Sequence, residues 1–153
     1  FANALSIAMN LQPAYEGDGN EALLVEGASG FRYPLEAEWE WAALCGEDYV
    51  YSGSDILNDV GWYAANSDAE THPVGEKQEN GCGLKDMSGN VWEWVADDYD
   101  QPGRYRPGAL QRANRGGSWY DEAMNHQVSS RYGDLPDFRA NLLGLRLARP
   151  LIE

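Results

Sequence analysis

Beyond Gly46 the chain contains no stretch in which apolar residues return every three or four positions, although tryptophan and tyrosine are dense there. A core without helical periodicity has to be assembled from short strands and structured loops. The ring count fits such a core: Trp 6 and Tyr 9 against only Phe 3, so most large rings carry an N–H or O–H that can pair with loop backbone. Gly 17 and Pro 7 are scattered as punctuation rather than gathered in blocks, which points the same way. Short candidate strands follow at Val91–Val95, Asn114–Trp119 and Leu143–Ala148, each bounded by Gly, Pro, Asn or Asp.

Helical signals are confined to the first part of the chain. Phe1, Ala4, Leu5, Ala8 and Leu11 recur at helical spacing before Pro13, which predicts an amphipathic helix over 2–11. A second helix is predicted over 34–44. Pro34 suits a first turn, Glu36 and Glu38 place negative charge at the N-terminus, Leu35, Trp39, Ala42 and Ala43 share a face, and Gly46 supplies the stop. A chain of 153 residues with 43% hydrophobic and 24% charged residues has material for one core, and no internal repeat or linker divides it. The formal net charge of -14 sets phosphate backbones and anionic lipid surfaces against it, so nucleic acid is excluded as the expected partner. No apolar run of about 18 residues predicts membrane insertion, and no secretory leader opens the chain. Cys45 and Cys82 could form one disulfide in an oxidising compartment, but free buried thiols are the preferred reading.

Three segments, taken together, carry a resemblance. They are Phe31-Arg32-Tyr33-Pro34-Leu35-Glu36-Ala37-Glu38-Trp39-Glu40, then Gly89-Asn90-Val91-Trp92-Glu93-Trp94, and then Arg115-Gly116-Gly117-Ser118-Trp119 leading to Leu143-Gly144-Leu145-Arg146. Their order and spacing resemble the formylglycine-generating-enzyme type of the C-type lectin fold. The resemblance implies an α+β, loop-rich single domain over 1–153, with two helices and a small twisted antiparallel sheet, lacking the N-terminal strand-bearing portion that the family carries before its first helix. Gly89 and Asn90 suit a tight, left-handed turn, Trp92 and Trp94 alternate with Glu93, and the Trp-Gly framework reads as scaffold.

Catalytic members of that family bind copper through two cysteines a few residues after the R-G-G-S segment. Here that stretch is Tyr120-Asp121-Glu122-Ala123-Met124-Asn125-His126, with no thiol, and one Met and one His do not replace two thiolates at a soft Cu(I) centre. The expectation is a protein that is not an enzyme, with a degenerate or atypical oxygenase as the alternative. His72 and His126 read as polar surface or satisfied core residues, and Asp97, Asp98 and Asp100 as a solvated acidic loop. The resemblance also makes Ca²⁺ a conceivable cofactor, with the Asn90 carbonyl oxygen and the Glu93 carboxylate as hard oxygen ligands.

Between Trp119 and Leu143 the sequence has neither helical nor strand period. Tyr120, Asp121, Asn125, Tyr132, Gly133, Asp134, Leu135, Asp137, Phe138, Ala140, Asn141 and Leu142 mix aromatic, acidic, small and aliphatic residues among fixed-looking landmarks such as Val128-Ser129-Ser130-Arg131, Pro136 and Arg139. This stretch, about 120–142, resembles the variable region of the ligand-binding proteins diversified by diversity-generating retroelements. Diversification of asparagine codons that end in a pyrimidine cannot produce Lys, Glu, Gln, Met or Trp. None of these occurs at Tyr132–Asp134, Leu135, Asp137, Phe138 or Ala140–Leu142, whereas Glu122 and Met124 fall outside the accessible set. The resemblance implies a binding module that displays a diversified surface to a macromolecular ligand, a protein or a cell-surface component, with aromatic anchors and adaptable polar contacts as in antibody loops. Surface display and association with a virus are both compatible with that role. An ordinary solvated loop and a structural domain within a longer host are the competing readings.

Overall fold

A computed structural model describes residues 1–151. The fold is α+β. It holds a short helix α1 (Ala2–Ala8), a two-stranded ribbon β1 (Tyr15–Glu16) and β2 (Leu23–Leu24), helix α2 (Glu36–Leu44) and a single helical turn α3 (Leu57–Val60). A four-stranded sheet follows, from β3 (Trp92–Asp98), β4 (Arg112–Arg115), β5 (Arg131–Asp134) and β6 (Leu143–Leu145), in the order β5-β4-β3-β6. The predicted antiparallel arrangement holds across β5–β4–β3, but β6 joins β3 in parallel, through Trp92↔Leu143 and Trp94↔Leu145. A bulge between Trp94 and Asp98 shifts the register of β3 against β4.

Helix α2 begins two residues later than predicted, because Leu35 is extended and the first free N–H groups find carboxylates from outside and inside the helix. Asp97 Oδ2 accepts the Glu36 N–H at 2.7 Å, and Glu38 accepts that of Leu35 at 2.8 Å while Arg32 grips the same carboxylate. Cys45 turns left-handed at φ 49 and ends the helix ahead of Gly46. Helix α1 is shorter than 2–11 and rests on a different face from the one its apolar spacing predicts. Phe1 is 81% exposed, whereas Ala2 and Ser6 are buried. The contact is made by small groups: the Ser6 hydroxyl donates to the Ala2 carbonyl and accepts the Phe31 N–H, both at 2.8 Å, beneath the close-packed Gly30.

Trp39, Ala43, Met87, Val95, Ala113 and Val128 form the apolar centre between α2 and the sheet. Around it lies an ionic layer. Glu36 accepts from Arg115 at 2.7 Å and from Arg131 at 2.8 and 3.0 Å, and Glu93 accepts from Trp39 Nε1 at 2.8 Å and from Arg146 at 2.9 Å. The acidic group after Trp94 is therefore not a solvated loop. Asp97 caps α2 and Asp98 pairs with Arg106, both fully buried, and only Asp100 is exposed.

The thiols are not free: Cys45 and Cys82 form a disulfide with Cα atoms 5.7 Å apart. Asn80 explains the encounter. Its amide donates to the Ala42 and Ala43 carbonyls at the end of α2, and its Oδ1 accepts the Cys82 and Leu84 N–H groups, so the 80–84 turn docks where Cys45 emerges.

Candidate functional site

Strand alternation divides the sheet into two faces. Gly144, Glu93, Arg115 and Arg131 lie in register and face α2, whereas Leu145, Trp94, Asn114 and Tyr132 form the next row and face away from it. Above this outer row pass the loops that carry most of the sequence-predicted site. Tyr120, Tyr132, Leu135 and Phe138 are 67%, 55%, 58% and 46% exposed, and Asp137 and Asn141 are exposed beside them. The Tyr132 ring centroid lies 6.0 Å from that of Trp92, and the Tyr120 ring lies edge-on to Trp119 at 5.7 Å, so exposed rings rest on tryptophans that are themselves half-buried or buried.

Other predicted site residues sit beneath this layer. Asp121 Oδ2 accepts Trp92 Nε1 at 2.8 Å, the Ser118 N–H at 3.1 Å and the Ser118 hydroxyl, which makes Asp121 the buttress of the Trp119 turn rather than a free contact. Asp134 accepts the Asn114 amide at 2.9 Å. Asn125 is half-buried in a 3₁₀ turn, Ala123–His126. Ala140 and Leu142 are half-buried, and the Leu142 carbonyl accepts the Trp92 N–H at 2.8 Å. Gly133 faces inward. A Cβ there would stand 2.3 Å from Tyr99 Cγ, so this position is a packing glycine and cannot host a varied side chain. Codon arithmetic alone cannot separate such a glycine from a varied one, but the strand alternation of Arg131-Tyr132-Gly133-Asp134 can. The same alternation brings Trp92, Trp94, Leu145 and Asn114 to the outer face, where the sequence alone reads the tryptophans as scaffold only.

The 120–126 stretch turns its imidazole inward. His126 is fully buried, with one ring nitrogen 3.0 Å from the Ser118 carbonyl and the other 3.0 Å from that of Glu122. Burial holds its imidazole below the ordinary range, although both carbonyls and nearby Asp121 favour the charged form. Gly117, at φ 78, lets the backbone pass against this ring, where a Cβ would meet it at 2.7 Å. The residues do not fit copper, because the two cysteines are bonded to each other at the far end of α2. They do not fit calcium at the predicted place either. Asn90 is spent in a left-handed turn at φ 69: its side chain pairs with His72 N–H and carbonyl and its own carbonyl accepts the Trp119 N–H, while Glu93 is taken by Trp39 and Arg146. Among the described residues no three His, Cys, Asp or Glu side chains are grouped to hold a metal. No described helix is long and apolar enough to cross a membrane.

The sequence model of the sulfatase-modifying factor enzyme 1-like domain matches residues 1–151. Treponema denticola variable protein 1, a solved structure, superposes with a TM-score of 0.87 at 34% identity, covering 97% of this chain and 66% of that one. The inactive C-alpha-formylglycine-generating enzyme 2 of Mus musculus is 34% identical over 78% of this chain and 43% of its own length. The formylglycine-generating enzyme of Streptomyces coelicolor is 32% identical over 89% of this chain and 52% of its own. The chain thus spans about half the length of these two relatives.

Proposed function

The chain belongs to the sulfatase-modifying factor enzyme 1-like domain family, and on that premise we propose that it is a non-catalytic binding module whose outer sheet face and overlying loops recognise a macromolecular ligand, a protein or a cell-surface component. The observation that carries this reading is the position of Tyr120, Tyr132, Leu135 and Phe138, four large apolar side chains exposed on one stretch while the bonds that hold the loops run through their neighbours. Exposed rings seated on buried rings are rigid anchors of the kind that supply most of the affinity at interfaces. Likeness to a protein named a variable protein supports diversification of these positions, and likeness to an inactive formylglycine-generating relative supports a role without chemistry.

The test lies in the DNA around the gene. A near-copy of the segment encoding Asn114–Arg149, with asparagine codons at Tyr120, Tyr132, Leu135, Asp137, Phe138 and Asn141 and a reverse transcriptase beside it, is the expected result. A locus without the copy removes the diversification part of the proposal. For the absence of chemistry, incubation with Cu(I) and a cysteine-containing peptide is expected to yield no aldehyde, and turnover with stoichiometric bound copper overturns it.

A further inference from the structure

Arg112 is the outward residue at the start of β4, and it is only 9% exposed. Its guanidinium donates to Asn20 Oδ1 at 2.9 and 3.1 Å and to the Ala96 carbonyl at 2.9 Å, all neutral acceptors, and lies over the Tyr105 ring at 4.9 Å. Asp98 stands opposite it in register, but the Asp98 carboxylate accepts from Arg106 at 2.7 Å and from the Asp100 N–H at 3.0 Å. Among the described residues Arg112 has no salt-bridge partner. Buried cations are ordinarily paired, so this one is set for a charge that the chain does not itself supply.

A cavity of about 560 Å³ opens beside Arg112, between the 15–20 segment, β3, Tyr105 and the 136–139 loop. That is the size of a small-molecule site. Several of its polar groups are donors with no acceptor among the described residues. The Tyr15 hydroxyl accepts the Tyr33 N–H at 3.0 Å and has no acceptor for its own proton among the described residues, and burial pushes this phenol up to about 12, which keeps the proton in place. Tyr33 and Trp94 present rings with an uncommitted O–H and N–H, and Arg139 stands exposed at the rim. Only Asp18 and Asp137, both exposed, add carboxylates.

We propose that this cavity binds a carboxylate carried on an aromatic or aliphatic body, with the carboxylate held by Arg112 and Arg139 and the body lying against Trp94 and Tyr33. One buried guanidinium in a chain of net charge -14 suits a monoanion better than a doubly charged phosphate. Asp137, one of the varied positions, lines the rim of the cavity, whereas Tyr120 and Tyr132 do not, and the four side chains that would hold the ligand, Arg112, Arg139, Trp94 and Tyr33, lie outside the varied set.

The test is a titration of the ¹⁵N-labelled protein with N-acetylphenylalanine, its neutral amide and 2-phenylethylammonium, read at the Trp94 indole N–H, which a Trp94→Phe variant assigns. The carboxylate is expected to bind at millimolar concentration and roughly tenfold more tightly than the amide, because charge-assisted hydrogen bonds carry the difference. The ammonium is expected to give no shift. Arg112→Gln is expected to abolish the preference, and since that variant also frees Asn20 and Ala96, Arg139→Gln and Tyr33→Phe, which break no hydrogen bond between side chains, are expected to weaken binding about threefold each. Tyr132→Ala is expected to leave it unchanged. Equal binding of carboxylate and amide, a preference for the ammonium, no shift at Trp94, or loss of binding in Tyr132→Ala overturns the proposal.

Discussion

Along β4 and β5, Arg115 and Arg131 turn toward α2 and close a buried ionic network on Glu36, whereas Asn114 and Tyr132, one position away on each strand, turn outward, Asn114 buried beneath the loops and Tyr132 among the exposed rings. The same strands therefore serve two purposes, divided by the period of two along the chain. On the inner face Glu36, Glu93, Arg115, Arg131 and Arg146 are all paired, so a change there strands a partner inside the protein. On the outer face the exposed rings sit over bonds made by other residues, so a change there removes contact area and little else. A protein that has to vary its surface while keeping its fold gains from this division.

The largest effect is expected where the division is broken from the inside. Glu36→Ala leaves Arg131 without a carboxylate partner and Arg115 with only the half-exposed Glu40, and loss of one partner in such a buried cluster costs about 3–5 kcal/mol, to be read from denaturant midpoints. A midpoint within experimental error of the parent would mean that the inner network is not what orders the sheet. Next comes a pair of neighbours that sharpens the contrast. Gly133→Ala drives a methyl group into Tyr99 and is expected to cost about 1–3 kcal/mol as overpacking. Tyr132→Ala, beside it but facing out, is expected to stay within about 0.5–1 kcal/mol even though its ring no longer rests against Trp92.

Acid supplies the smallest and most graded effect. Burial pushes the Glu36 carboxyl up, but its bonds with Arg131 and Arg115 outweigh this and hold it below its ordinary value of 4.5. Its stabilising contribution is therefore complete above that value and is lost as the pH falls through the lower folded one. Asp97, which burial raises above 3.8, works in the opposite sense and partly offsets the loss. Stability measured from pH 6 downward is expected to fall below about pH 4.5, and to fall less steeply in Glu36→Gln. An identical slope in the two proteins would remove Glu36 from the account.

Much of this was legible in the sequence. The Glu36–Leu44 helix followed from Pro34, the acidic first turn and Gly46, and the lectin-type architecture from three short segments. What stayed hidden depended on contacts between distant segments. The Cys45–Cys82 bond needs the docking of the 80–84 turn by Asn80, the burial of Asp97 and Asp98 needs α2 and Arg106 brought to them, and α1 turns its smallest residues inward because Phe31 and Gly30 meet it there. Within the candidate site, the exposed rings were legible from composition. The roles of Asp121 and Gly133 were not, because a buttress and a packing glycine are spelled with the same residues as a varied surface.

The central claim is tested most directly by two displayed libraries of this chain, compared for resistance to protease across a temperature series. One randomises Tyr120, Tyr132, Leu135, Asp137, Phe138 and Asn141, and the other randomises Glu36, Glu93, Arg115, Arg131, Gly133 and Arg146. Surface substitutions change stability by about 0.5 kcal/mol or less, whereas stranded buried charges cost several times more. The division of faces predicts that most members of the first library resist protease up to temperatures near that of the parent, while nearly all of the second are cleaved. Equal survival of the two libraries, or loss of the first, would contradict it.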